Sequence, residues 1–308
     1  MAIEISNEAL ESYIKGMQKV SEILKKEDPD YIVFPMLGSI AFSDTLNVID
    51  GDFPKEKSIY PPASMSRGMR DATGGWIYNF LDSINLKDPI KMIFVDEAKS
   101  GNCVRSLANL TEEVIKDYAL DQISELKRFV FKKKDKEAIA SGMADIDKKT
   151  KENYTSELAK ISEKLQGENE EENKAGINTL SDILHKYFNK LVNFKTIAVE
   201  HDNGSYLKSR QVYDNLVNQG RVIPVKVNSI ITMDVTDFTP ARYKLKGPSS
   251  KKYLPEIDYI RVEEQYLNLL ERIAGYVGTD ISNMSFPINE RKIMDSKNLL
   301  TRYYKKEK

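Results

Sequence analysis

Apolar residues recur three and four apart from Leu10 through Tyr13, Ile14, Met17 and Val20 to Leu24, a spacing that predicts an amphipathic helix. Ser6 or Asn7 is placed to cap its start. The Asp28-Pro29 pair ends it, because a residue before proline is pushed out of the helical region. The pattern then becomes an unbroken apolar run, Tyr31-Ile32-Val33-Phe34-Pro35-Met36, which reads as a buried strand. Leu37-Gly38-Ser39 follows as a turn, and Ile40 to Val48 predicts a second helix. Lys57 to Ala63 is a weaker strand, closed by Pro61-Pro62. Ser66 to Gly75, with two arginines and three glycines, reads as a loop. Trp76 to Leu86 reads as a short helix with Trp76 as a core anchor. Lys91-Met92-Ile93-Phe94-Val95 is the clearest buried strand, and Val104, Leu107, Ala108, Val114 and Ile115 mark the helix after it. Strand, loop and helix in repetition predict an α/β fold with a parallel sheet flanked by helices.

After about Lys116 the composition shifts. The stretch to Leu191 is rich in Lys, Glu, Asp and Ala and has no proline. Leu158, Ile161 and Leu165, then Ile177, Leu180, Ile183, Leu184, Tyr187 and Leu191, predict two or more helices, with Gly167 to Gly176 as the exposed turn between them. We read a long helical insertion over 119–192, set between a first core segment (1–118) and a second (193–245). Phe194 to Glu200, Val222 to Val227 and Ile230 to Val235 read as strands, and Tyr206 to Val217 as a helix. Pro224 argues against a central place for the Val222 strand. A C-terminal helical segment (246–308) is expected from the stripe Tyr259, Val262, Tyr266, Leu269, Leu270 and Ile273.

Composition narrows the function. With 41% hydrophobic and 30% charged residues, the chain has a real core under a charged surface. The formal net charge of −1 supplies no global field for nucleic acid and leaves room only for a local patch. One cysteine, Cys103, and two histidines exclude a disulfide framework and a cysteine- or histidine-rich metal centre. No apolar run is long enough to cross a bilayer. Met1 to Leu10 shows no basic segment followed by an apolar one, so cytoplasmic residence is the expectation.

The densest chemistry lies in Val95-Asp96-Glu97-Ala98-Lys99-Ser100-Gly101-Asn102-Cys103. A buried strand delivers two adjacent carboxylates to its C-terminal end, where ligands sit in open α/β sheets. A Ser-Gly turn then feeds a helix N-terminus, whose amides and dipole suit a phosphate. The carboxylates are candidates to hold sugar hydroxyls or a magnesium ion. His201, in Glu200-His201-Asp202, is a candidate general base, although a lone histidine at a strand end more often serves structure.

The acidic pair Asp96-Glu97 followed by Ser100-Gly101 resembles the phosphoribosyl-pyrophosphate motif of type I phosphoribosyltransferases. The loop is one residue shorter than the common pattern, and Cys103 stands where Thr or Ser is usual. The resemblance runs from Asp30 to Ile115 and loosely from Thr196 to Val235. It implies a type I phosphoribosyltransferase-like sheet that binds 5-phosphoribosyl-1-pyrophosphate and transfers the phosphoribosyl group to an acceptor, releasing pyrophosphate. By the same resemblance Asp96 and Glu97 are catalytic and carry Mg2+. Ala98 to Cys103 cradle the 5-phosphate, and Leu37, Gly38 and Ser39 hold the pyrophosphate. Arg67 and Arg70, in a lid, meet the leaving charge. Asp234 and Asp237, following a predicted strand, are candidates for the acceptor pocket. Relatives in bacterial and phage conflict systems carry a similar loop.

A second reading keeps the fold and drops the transfer, leaving a binding or regulatory protein that acts through the helical insertion. Residues 119–192 are then the expected surface for a second copy or a protein partner, and a charge-rich helical face of this kind is more often simply solvated.

Overall fold

In the computed structural model, the described residues are 5–35, 39–59, 70–84, 86–98, 102–201, 210–228, 236–245, 253–262 and 264–281. The chain divides into two compact units, one of Met1–Ile77, Ile90–Leu110 and Phe194–Lys308, the other of Tyr78–Pro89 and Thr111–Asn193.

The first unit is built on a parallel sheet of five strands: β1 (Tyr31–Val33), β2 (Ser58–Ile59), β3 (Ile90–Glu97), β4 (Val192–His201) and β5 (Val222–Val227). Their order is β2-β1-β3-β4-β5. The chain steps from β1 outward to β2, then returns across β1 to β3 and continues to β4 and β5. The crossovers therefore diverge between β1 and β3. With right-handed connections, such a divergence puts helices on opposite faces and opens a crevice at the strands' carboxyl ends. Asp30 sets the register where β1 meets β3: its carboxylate accepts the Lys91 N–H at 2.8 Å, and its own N–H donates to the Lys91 carbonyl at 2.9 Å. Strand β5 is the last of the described sheet, a place that tolerates Pro224.

One face is covered by α1 (Asn7–Glu27), α2 (Ile40–Ile49) and α10 (Glu264–Val277). Ser6 caps α1, its hydroxyl accepting the Ala9 N–H at 3.1 Å, and Asp28 ends the helix in the left-handed region at φ 43°. Tyr13, Met17, Val20 and Leu24 are completely buried in a core with Ile32, Phe34, Ile93, Val95, Ile197, Val199, Val225 and Val227. Each such side chain contributes about 1.5–3 kcal/mol by leaving water. Gly16 permits the close approach of α1 to β5, since a Cβ there would stand 2.2 Å from Cγ1 of Val227. At the other end of α1, Glu27 takes Lys91 at 2.7 Å and Lys195 at 2.8 Å, tying the helix to the starts of β3 and β4.

The helices α3 (Arg70–Ser83), α4 (Asn102–Asp121) and α9 (Arg210–Asn218) occupy the other crossovers. The glycine-rich end of the expected loop is helical instead: α3 begins at Arg70 and runs through Gly74 and Gly75. Two interior glycines cost about 1 kcal/mol each, and burial of Trp76, Ile77, Phe80 and Leu81 on the same helix outweighs that. The C-terminal stripe also divides differently. Residues up to Val262 form β7 (Tyr253–Val262), paired antiparallel with β6 (Thr236–Leu245), and the helix starts only at Glu264. A short aromatic- and β-branched-rich segment is the case in which helical and strand spacing are hardest to separate. Asp237 lies inside β6, opposite Arg261, and not beyond a strand end.

The second unit is helical. It contains α5 (Ser124–Arg128), a π-helical turn (Phe129–Lys133), α6 (Lys136–Lys149), α7 (Thr155–Leu165) and α8 (Glu170–Leu191). Leu158, Ile161 and Leu165 of α7 meet the apolar stripe of α8. Gly176 is buried inside α8, not in the turn, where a Cβ would stand 2.9 Å from Cδ2 of Leu165. The missing side chain lets the two helices close on each other. Tyr118 and Phe188 meet edge to face at 5.1 Å, and the Tyr78 hydroxyl donates to Asp121 at 2.7 Å. No described helix is long and apolar enough to cross a membrane.

Candidate functional site

Strand β3 is buried from Met92 through Asp96. It ends at the carboxyl edge of the sheet with Asp96, only 6% exposed, and the half-buried Glu97. Alternation along the strand sends Asp96 to the face of Met92 and Phe94, and Glu97 to the face of Ile93 and Val95. The two adjacent carboxylates therefore have different surroundings.

Ser39 stands before the first turn of α2, at the other side of the divergence between β1 and β3. It is completely buried. A serine at this position usually caps its own helix, yet Ser39 makes no such bond. Its hydroxyl donates to Oδ1 of Asp96 at 3.0 Å, and the Glu97 N–H donates to the same oxygen at 2.9 Å. Asp96 is thus held by the polypeptide itself, while Glu97 is the more accessible of the pair. The Ala98 N–H donates to the Val199 carbonyl at 2.8 Å, so that amide belongs to the sheet.

Strand β4 adds a third carboxylate at the same edge. Glu200 is 8% exposed, and His201 is half-buried beside it. Burial first, and then Glu200, push the phenol of Tyr213 on α9 far above its ordinary value. In α2, Ser43, Asp44 and Thr45 are all buried. The hydroxyls of Thr45 and Tyr13 lie 3.3 Å apart, and burial above all raises the Tyr13 phenol, with the Asp44 charge adding to it. Buried polar side chains therefore gather on α2 and at the ends of β3 and β4.

Of the residues expected at the site, the structure brings Ser39, Asp96, Glu97 and Ala98 together. Asn102 and Cys103 open α4, and Arg70 opens α3. Leu37, Gly38, Arg67, Lys99, Ser100, Gly101 and Asp234 lie outside the described residues. Glu200 and Tyr213 were not singled out from the sequence. The visible signal for Glu200 is that it closes its apolar strand just as Asp96 closes Val95.

Among the described residues, no three His, Cys, Asp or Glu side chains form a group able to hold a metal ion. Asp96 and Glu97 would offer only oxygen donors, the ligand type that hard cations take.

No family model, curated protein or solved structure matches this chain.

Proposed function

We propose that the carboxyl edge between β1 and β3 binds 5-phosphoribosyl-1-pyrophosphate and that the protein passes the phosphoribosyl group to an acceptor, releasing pyrophosphate. The observation that carries this reading is the bond from Ser39 to Asp96 across the divergence of the sheet. It braces the start of α2 against the end of β3, the two elements that flank the crevice where ligands settle in such sheets. The start of α2 has no acidic residue in its first turn and no side-chain cap, and α4 begins just past the Asp96-Glu97 pair. Two helix N-termini suit the two ends of a ligand with phosphate at both.

In this reading Glu97 accepts the ribose hydroxyls, and Asp96 fixes the Glu97 backbone through its amide. A nucleophilic atom of the acceptor attacks the anomeric carbon while its bond to pyrophosphate oxygen breaks. The carboxylates favour the positive charge that develops on the sugar. Magnesium, held by Glu97 and the substrate, would neutralise charge on the leaving pyrophosphate.

Calorimetric titration of the sugar donor with magnesium, beside ribose 5-phosphate and ATP, tests the assignment. Selective binding that Glu97→Gln abolishes is the expected result, and equal or absent binding of all three overturns it. Release of pyrophosphate from the bound donor on addition of candidate acceptors, nucleobases and nucleotides first, then separates transfer from binding alone. Binding without transfer is the second reading, supported by the burial of Asp96 and the internal use of its Oδ1.

A further inference from the structure

The helical unit carries a feature that the sugar-phosphate site does not use. From Lys127 to Lys136 the sequence reads Lys-Arg-Phe-Val-Phe-Lys-Lys-Lys-Asp-Lys, six basic residues against one acidic. It folds as the end of α5, the π-helical turn Phe129–Lys133, and a left-handed Lys134 at φ 49°. Arg128, Lys132, Lys133, Lys134 and Lys136 are all exposed. Arg128 pairs loosely with Glu125 at 3.4 Å. The four lysines have no carboxylate partner within 4 Å among the described residues.

Two rings lie inside this charge. Phe129 is half-buried, with the Arg128 guanidinium 5.8 Å and the Lys133 ammonium 5.4 Å from its centroid. Phe131 is 37% exposed, one of three large hydrophobic side chains exposed among the described residues, the others being Val212 and Tyr276. Val130, between the two rings, is buried and anchors the turn. Lys134 adds a further sign. The left-handed end of a helix is usually a glycine or asparagine, and here a lysine keeps its charge at the expense of backbone strain.

We propose that this turn is a binding site for single-stranded nucleic acid, with the lysines on the phosphates and Phe131 stacked on a base. Unpaired cations beside an exposed ring form the combination that such strands recognise, because each base has a face to stack and each link a charge to neutralise. A bilayer surface is the poorer fit. Interfacial binding requires a broad apolar face, and one exposed ring above a buried valine is not that.

The test is fluorescence anisotropy of the full chain with labelled oligo(U) and oligo(dT), with a duplex of equal length and phosphatidylserine vesicles beside them. We expect binding of the single strands over the duplex, with a log–log salt slope of about −2 to −3 for three or four neutralised phosphates. The two single strands distinguish RNA from DNA, and preference for either supports the site. Phe131→Leu should weaken binding about tenfold, as loss of one stacked base does, and Phe131→Trp should restore it. Lys132→Gln with Lys133→Gln and Lys134→Gln should flatten the salt slope by about 2. Glu97→Gln should leave this binding unchanged, which keeps the result separate from the sugar-donor site. The proposal is overturned by absence of binding, by equal affinity for the duplex, by preference for vesicles, or by Phe131→Leu matching the native chain.

Discussion

The Ser39 hydroxyl donates to Asp96 Oδ1 at 3.0 Å, joining the loop after β1 to the end of β3. Both partners are buried, so removing the hydroxyl takes away one of the bonds that Asp96 Oδ1 accepts, in a place out of reach of water. Ser39→Ala should therefore destabilise the chain by about 1.5–3 kcal/mol, the range for hydrogen bonds to charged groups. Urea denaturation checks this. On the proposed function, sugar-donor affinity should fall with it, because the Glu97 backbone loses its support.

Asp96 and Glu97 should respond differently to neutralisation. Asp96→Asn replaces an acceptor of two hydrogen bonds, from Ser39 and the Glu97 amide, in a buried position. It should lower thermal stability as well as ligand affinity. On the proposed function, Glu97→Gln, at a half-buried position, should lower the melting temperature less than Asp96→Asn does and should remove sugar-donor binding. Paired thermal melts and titrations distinguish the two variants, and identical behaviour of both would contradict the division of roles.

Gly16→Ala sets two effects of opposite sign against each other. Alanine gains about 1 kcal/mol in helix propensity, but its Cβ would fall 2.2 Å from Cγ1 of Val227. Overpacking of that kind costs about 1–3 kcal/mol, so the net effect should be destabilising. Adding Val227→Ala should return part of the loss, giving a favourable coupling in a double-mutant cycle measured by denaturation.

Glu27 makes stability depend on pH. Its bonds to Lys195 and then Lys91 hold the carboxyl below its ordinary value of 4.5. The folded chain thus favours the ionised form. The stabilisation is complete above about pH 5 and is lost as pH falls through the lowered folded value. Glu27→Gln should cost about 1 kcal/mol at neutral pH, and the difference from the native chain should vanish in acid. Denaturation curves at a series of pH values check the sign.

Much of the first unit was legible because its signals are local. The stripe from Leu10 to Leu24 is α1, the apolar run at Tyr31 contains β1, and Lys91 to Val95 is the centre of β3. Pro224 indicated an edge, and β5 is the last strand of the described sheet. What escaped the sequence depends on tertiary contact. Gly74 and Gly75 read as loop until the burial of Trp76 and Phe80 is known. Gly176 reads as a turn until Leu165 is found against it. The Asp96-Glu97 pair was visible as chemistry, but the burial of Asp96 was not. That the Ser39 hydroxyl crosses to another strand and does not cap its own helix is decided by sheet order, which no local pattern carries.

The place of the helical unit in the sequence also bears on the expected order of folding. Strands β3 and β4 are neighbours in the sheet, yet the chain between them runs through that unit. Closing an unstructured loop of about 90 residues costs about 4 kcal/mol of chain entropy. Helices α5 to α8 rest on contacts near in sequence and form fast. Once they have collapsed, the loop is a compact body and most of that cost has already been met. Pairing of β4 with β3 should then come late, and the carboxyl edge with Glu200 should be completed after the insertion has folded, an order that φ-values at Val199 and Leu180 would check.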